Sequence, residues 1–332
     1  MSYDFDLTKV FHELERRNPK RVLLQFPEGL RHYSVKVLDE LRGHFPDVEF
    51  LVSAEPSWGA CDLADDEAQL VKADVIVHFG HTPYPWYSHK IPTVYVPVFS
   101  KLDLSDEVLL ELARELTAIG AKRVNVSAVL QHVHLVPKVK EFLRAKGFEA
   151  FSGFARPPFM LEGQVLGCDY YAVRDDAEAY VNVSGGLFHS LGVALTTMKP
   201  TFKLDPYEGR VVDVTREAYR VLKVRMAKVF EARDKGVWGI IQGMKLGQNR
   251  PTLVELLRRG LEKKGKRVYV FTNRVTTKDA LRNLPPEIEV FVVTSCPRVP
   301  TDDLYDFEKP VLTPGEAKMI INDDLNNYIF PW

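Results

Sequence analysis

Val290-Phe291-Val292-Val293-Thr294-Ser295-Cys296-Pro297-Arg298 sets a pattern that the rest of the chain repeats. A short apolar, β-branched run closed by turn residues is the pattern of a strand buried in a parallel sheet. Pro297 cannot donate to a ladder, so the strand stops there. Cys296 is therefore expected in a loop at the carboxyl end of a strand, where open α/β sheets place their ligands. Asp302-Asp303 follow closely.

Outward from this stretch the same alternation recurs. In the first third, helical spacing predicts a helix through the opening seventeen residues and another over 30–45. Strands are expected at 21–26, 48–52, 74–79 and 93–99, with a short helix near 63–71. The pattern then restarts, with helices over 104–118, 135–146 and 187–195 and strands at 123–129 and 180–183. It restarts again with helices over 216–233 and 251–264 and strands at 237–242, 267–271 and 287–293. Alternating strands and helices imply parallel sheets with right-handed crossovers. The expectation is an α/β fold of three similar parallel-sheet domains, 1–103, 104–214 and 215–332, around a pseudo-threefold centre.

Composition bounds the rest. The chain has 332 residues, 45% hydrophobic and 27% charged, with a formal net charge of -1. Such values are ordinary for a soluble globular protein and give no global pull toward nucleic acid or a membrane surface. The opening segment lacks the continuous apolar core of a signal peptide, and no apolar run approaches a membrane span. The cytosol is the expected compartment, and disulfides are not expected from three cysteines there.

Those three, Cys61, Cys168 and Cys296, carry the chemistry. A lone cysteine is usually a small buried hydrophobe. Here each stands in a loop beside glycine or proline, and none lies on a periodic apolar face. Their separations of 107 and 128 residues exclude a local zinc motif of the CxxC kind and the CxxxCxxC run of standard radical enzymes that use S-adenosylmethionine. A zinc site joining Cys61 to His78 or His81 is conceivable, but the flanking spacing is unusual for one. Three thiolates without a fourth suit an iron–sulfur cube, with one iron left open for a substrate.

Several stretches together resemble one family. Glu162-Gly163-Gln164-Val165-Leu166-Gly167-Cys168 looks like its central cysteine motif. Gln25-Phe26-Pro27-Glu28-Gly29-Leu30, Gly59-Ala60-Cys61-Asp62, Ser184-Gly185-Gly186-Leu187-Phe188-His189 and Thr294-Ser295-Cys296-Pro297-Arg298 resemble its others, in the right order. The family is that of the diphthamide-synthesis radical enzymes, the 2-(3-amino-3-carboxypropyl)histidine synthases, and the single-chain length is similar to the archaeal form.

The resemblance implies one cysteine from each of three domains, a [4Fe-4S] cluster, S-adenosylmethionine as co-substrate, an external electron donor and a homodimer. It implies that the 3-amino-3-carboxypropyl group passes as a radical to C2 of a histidine on translation elongation factor 2, with methylthioadenosine released. All three cysteines are present, which suits a catalytic chain.

Cofactor contacts are expected from several places. Gly185-Gly186 open a helix N-terminus that offers N–H groups to an anion, or form a plain strand-to-helix turn. Arg298 is placed to pair the methionyl carboxylate, and Asp302 or Asp303 its amine. Either aspartate could instead cap a helix. His189 and Gln248 are further candidates, with Gln25, Glu28 and Gln242 behind them. The apolar tail, residues 328–332, is suited to dock on its own chain or on a twin. Two other readings compete: a quinolinate synthase-like [4Fe-4S] condensing enzyme, separable by its product, and a non-catalytic subunit that binds elongation factor 2 and purifies colourless.

Overall fold

The computed structural model describes residues 2–84, 86–154, 159–174 and 176–332. Its first third contains β1 (Tyr3–Asp4), α1 (Thr8–Arg17), β2 (Arg21–Gln25), α2 (Ser34–His44), β3 (Glu49–Val52), α3 (Asp65–Leu70), β4 (Val75–Phe79), β5 (Thr93–Val96) and β6 (Phe99–Ser100). Strands β3-β2-β4-β5 form a parallel sheet in that order. The second third contains α4 (Asp106–Ala118), β7 (Arg123–Ala128), α5 (Val136–Ala145), β8 (Glu149–Phe151), β9 (Ala179–Val183), α6 (Leu187–Thr197), β10 (Thr201–Asp205) and β11 (Arg210–Asp213). Its sheet runs β8-β7-β9-β10 in parallel, with β11 added antiparallel at the edge. The last third contains α7 (Thr215–Arg233), β12 (Val237–Gly243), α8 (Pro251–Lys263), β13 (Arg267–Asn273), α9 (Lys278–Arg282), β14 (Val290–Val293), β15 (Val311–Leu312) and α10 (Pro314–Ile321). Strands β13-β12-β14-β15 are all parallel.

Numbered within its own third, each sheet has the parallel order 2-1-3-4. A second repeat supports the same kinship. A carboxylate just before each third strand accepts hydrogen bonds from the two backbone N–H groups that start the first strand. Asp74 takes those of Lys20 and Arg21 at 2.8 and 2.9 Å. Glu178 takes those of Lys122 and Arg123 at 2.6 and 3.0 Å. Glu289 takes those of Gly236 and Val237 at 2.8 and 2.9 Å. These clamps close the amino ends of the sheets, where parallel ladders leave N–H groups unpaired. The carboxyl ends carry the long loops, and all three cysteines lie in them.

The structure departs from the sequence expectation in particular places. The opening residues are not one helix: Tyr3–Asp4 pair antiparallel with Phe99–Ser100 before α1 begins. The expected helix over 30–45 starts with a 3-10 segment, Glu28–Tyr33, and becomes α-helical at Ser34. The expected strand over 93–99 breaks around Pro97, which has no N–H to donate. Strand β10 was not legible because Lys203 and Asp205 interrupt its apolar run. In the fold both are buried and neutralise each other, Nζ to Oδ2 at 2.6 Å.

One buried ion pair ties α7 to α10. Arg225 and Glu316 are fully buried and meet in a fork, at 2.8 and 2.6 Å. The same guanidinium donates to the carbonyls of Pro300 and Val311 at 2.8 and 2.7 Å, so it also holds the segment that follows Cys296. Glu316 completes a capping box with Thr313 and accepts from Tyr328 Oη at 2.9 Å. Removing one partner strands the other charge without water. Glu316→Ala is therefore expected to cost about 3–5 kcal/mol, read as a lower urea midpoint, whereas Arg225→Met with Glu316→Leu should lose far less. An unchanged midpoint for Glu316→Ala would show that the pair does not hold this part of the fold.

Candidate metal centre

The Cys61 loop follows β3 and is built as a turn, with Asp62 N donating to Gly59 O at 2.9 Å. Gln25, at the end of β2, holds it from behind: Nε2 donates to Asp62 O at 2.7 Å, and Oε1 accepts from Ala64 N at 3.0 Å. The same Oε1 lies 2.8 Å from His78 Nδ1. An amide oxygen only accepts, so His78 carries its proton on Nδ1. His78 Nε2 then accepts from His81 Nδ1 at 2.9 Å, and the free lone pair of His81 is on Nε2. Burial keeps both rings neutral, with His81 lowered to about 4. His78 thus has both nitrogens engaged, which removes it as a ligand.

The Cys168 loop follows β8. Leu166 and Asp169 exchange backbone hydrogen bonds at 3.0 and 3.1 Å, which puts Gly167 and Cys168 at the tip of a tight turn. A Cβ on Gly167 would lie 2.2 Å from the Phe188 ring, so any larger residue there would have to push that ring aside. Cys296 follows β14, and Val299 N donates to the Cys296 carbonyl at 3.2 Å.

The three cysteines open into one cavity of about 210 Å³, several times the ~30 Å³ that a water occupies in the liquid. Its walls are largely apolar, with Leu166, Phe188 and Trp58 among them. The thiols are close enough to feel one another. Burial pushes Cys61 well above the usual thiol range, and Cys168 and Cys296 add to the rise. Burial pushes Cys296 up to about 12, again with Cys168 contributing. Cys168 is raised by burial and pulled back by the charge of Arg250. All three are free thiols.

Such sulfurs stay protonated until something strongly positive binds among them, when they deprotonate and ligate. Among the described residues no group of three His, Cys, Asp or Glu side chains converges on a single ion. Three soft sulfurs around one shared space, set wider than one ion requires, fit a polynuclear iron–sulfur cluster.

The other candidate residues fall into place around this cavity. Arg298 lines it, and also lines two neighbours of about 260 and 660 Å³. It pairs with Asp302 at 3.5 Å and Asp303 at 4.0 Å across the helical turn Val299–Asp303. Asp303 lines the 260 Å³ cavity, whereas Asp302 lines none of the three. His189 faces both the cysteine cavity and the 660 Å³ one; burial and Arg298 lower it to about 4. Gly185 and Gly186 open α6 in the 660 Å³ cavity, not among the cysteines. Gln248 turns toward a sulfur, its Nε2 3.6 Å from Cys61 Sγ. Gln25 supports the Cys61 loop from outside. Gln242 is engaged by Asn249 at 2.7 Å, and Glu28 is exposed in the 3-10 segment; neither lines these cavities.

Sequence reasoning missed four participants. Lys245 forms an ion pair with Asp62 beside Cys61. Tyr84 places its hydroxyl 3.8 Å from Cys168 Sγ. It belongs to the Tyr84-Pro85-Trp86-Tyr87 stretch, in which Pro85 lies outside the described residues. Arg250 donates to Tyr84 Oη at 3.0 Å. Trp332 donates from Nε1 to the Cys168 carbonyl at 2.7 Å, so the apolar tail docks on its own chain. Only the aromatic richness of the tail signalled this.

Known proteins resemble this chain in sequence and fold. A family model described as putative diphthamide synthesis protein matches residues 26–329. The 2-(3-amino-3-carboxypropyl)histidine synthase of Pyrococcus horikoshii is 34% identical over 97% of this chain and 91% of its own. Subunit 1 of the corresponding synthase of Saccharomyces cerevisiae is 30% identical over 98% of this chain and 76% of its own. Among solved structures, Dph2 from Pyrococcus horikoshii superposes with a TM-score of 0.87 at 32% identity, covering 99% of this chain and 93% of that one. The same protein with a 4Fe-4S cluster gives 0.86 at 32% identity, covering 98% and 92%.

Replacing Cys61, Cys168 or Cys296 singly by Ala is expected to remove most reconstituted iron and sulfide, with far-UV circular dichroism near that of the parent. Full iron retention in any one of the three would refute a shared site.

Proposed function

The chain belongs to the diphthamide synthesis protein family, and on that premise we propose that it is a 2-(3-amino-3-carboxypropyl)histidine synthase acting in the first step of diphthamide formation. It is a transferase that moves the 3-amino-3-carboxypropyl group of S-adenosylmethionine onto C2 of a protein histidine, with methylthioadenosine as the other product. The observation that carries this reading is the meeting of three half-buried thiols, one from a loop of each sheet, in a single cavity.

Cys61, Cys168 and Cys296 are the residues that would hold the [4Fe-4S] cluster. When bound, the cluster supplies one electron and an open iron at which the Cγ–S bond of S-adenosylmethionine is cleaved. The chain's own task is to aim that bond and exclude water. We assign the methionyl carboxylate to Arg298 and to the N–H groups at Gly185 and Gly186, and the amine to Asp302 or Asp303. His189, neutral and half-buried, faces the reacting space as a hydrogen-bonding group. Gln248 is assigned to a sulfur rather than to the co-substrate.

The acceptor in this reading is a histidine of translation elongation factor 2, which places the reaction in the cytosol and requires an external electron donor. No helix among the described residues is long and apolar enough to cross a membrane. The three-unit division at residues 103 and 214 belongs to the same reading, supported by the common strand order. So does a homodimer, supported by β13, an edge strand on which Tyr269 and Val270 are exposed.

The test is anaerobic turnover of reconstituted, reduced protein with S-adenosylmethionine and elongation factor 2. Methylthioadenosine and a 3-amino-3-carboxypropyl adduct on one histidine are expected. Protein with a full cluster that gives neither, or that makes quinolinate, would refute the reading. Arg298→Ala is expected to weaken S-adenosylmethionine binding about tenfold, ~1.4 kcal/mol, with iron and sulfide intact. Unchanged affinity with a lower melting temperature would instead assign Arg298 to its pairing with Asp302 and Asp303. Light scattering should give a dimer; a monomer at every concentration would remove that part of the proposal.

A further inference from the structure

Arg250 stands immediately before α8, in the last third of the chain, and its guanidinium is clamped between two indoles. Its central carbon lies 3.7 Å from the ring centre of Trp332 and 5.0 Å from that of Trp86. Stacking of this kind suits a planar, delocalised cation and holds it in place. From there Nη2 donates to Tyr84 Oη at 3.0 Å. A guanidinium has only donors, so Tyr84 accepts, and its own proton is free to be donated onward. Cys168 Sγ lies 3.8 Å from that oxygen, within reach of a long O–H···S contact. Tyr84 is buried, so solvent does not compete strongly for the proton. The arrangement joins three parts of the chain: an arginine from the last third, a tyrosine from the first and a cysteine from the second. Trp332 adds a second hold on the same loop through the Cys168 carbonyl.

We propose that Arg250, acting through Tyr84 on the Cys168 sulfur, is a positioning residue that raises the reduction potential of the cluster; this rests on the cluster reading above. Reduction adds one negative charge to a cluster already bearing thiolates, in a cavity with largely apolar walls. A fixed cation one residue away, and an O–H pointed at a ligating sulfur, stabilise the reduced form more than the oxidised one. Arg250 is not one of the co-substrate's assigned partners, and its contacts among the described residues are with Tyr84, Trp86 and Trp332. Its effect is therefore expected in the potential rather than in cluster assembly.

The experiment is an anaerobic redox titration, followed by electron paramagnetic resonance and visible bleaching, with iron and sulfide counted for every sample. The samples are the parent protein, Arg250→Gln, Arg250→Lys and Tyr84→Phe. Arg250→Gln is expected to move the midpoint negative by up to about tenfold in the one-electron equilibrium, ~59 mV. Tyr84→Phe should move it the same way by less, and Arg250→Lys should stay closer to the parent because the charge is kept. Parent midpoints in Arg250→Gln and Tyr84→Phe, at full iron and sulfide, would overturn the proposal. If Arg250→Gln fails to hold a cluster, Tyr84→Phe and Arg250→Lys decide. A negative shift in Tyr84→Phe that exceeds any in Arg250→Lys supports it, and parent midpoints in both overturn it. A parent protein that takes up no iron and sulfide sinks the cluster reading itself, a result distinguishable from the others.

Discussion

The contact on which the site depends is the one between Gly247 and Cys61. The Gly247 N–H donates to the Cys61 carbonyl at 2.9 Å. The backbones are so close that a Cβ on Gly247 would lie 2.6 Å from Cys61 Cα. Only glycine permits that approach. It lets the loop after β12 rest directly on the loop that carries the first cysteine, and the Lys245–Asp62 ion pair locks the two side by side. Gln248, from the same short segment, then reaches the Cys61 sulfur. Parts of the chain nearly two hundred residues apart are thereby fixed on one another at the cavity.

The scaffold explains why loops can be spent on this. Each sheet is pinned at its amino end by a carboxylate accepting two backbone N–H groups, and its strands are largely buried. The carboxyl ends are left to carry side chains, as is usual for parallel sheets. Cys61 and Cys168 follow the second strand of their units and Cys296 follows the third. The three sheets therefore share a strand order without being equivalent at the site. Arg225 compensates in the last unit. Buried against Glu316, it reaches the Pro300 carbonyl and steadies the turn beyond Cys296.

The electrostatics of the cavity are one-sided. His81 and His189 are held neutral by burial, and the thiols are held protonated by it. The cations close to the sulfurs are each held in place: Arg298 by its aspartates, Lys245 by Asp62, and Arg250 between its indoles. A surround of this kind favours a bound group with net negative character, such as a thiolate-ligated cluster or a carboxylate. It also gives each cation a different reach, with Arg298 at the junction of the cavities and Arg250 behind Cys168.

Local sequence was enough to read the α/β class, nearly all the parallel strands of the first and last sheets, and the three cysteines that line one cavity. Those readings rest on local patterns: apolar β-branched runs, and cysteines in glycine- or proline-marked loops. Family motifs at Gln25, Cys61, Cys168, Gly185 and Cys296 then supplied the chemistry. Strand β10 escaped because Lys203 and Asp205 look like surface residues until the fold buries them together. Arg250, Tyr84 and Trp332 escaped because nothing local marks residues that meet only across three units. Gln248 was named from its strand-end position, which indicates a site but not that its amide turns to the Cys61 sulfur. These points come from packing, which fixes which buried donors and charges must find one another, and that depends on distances the linear order does not contain.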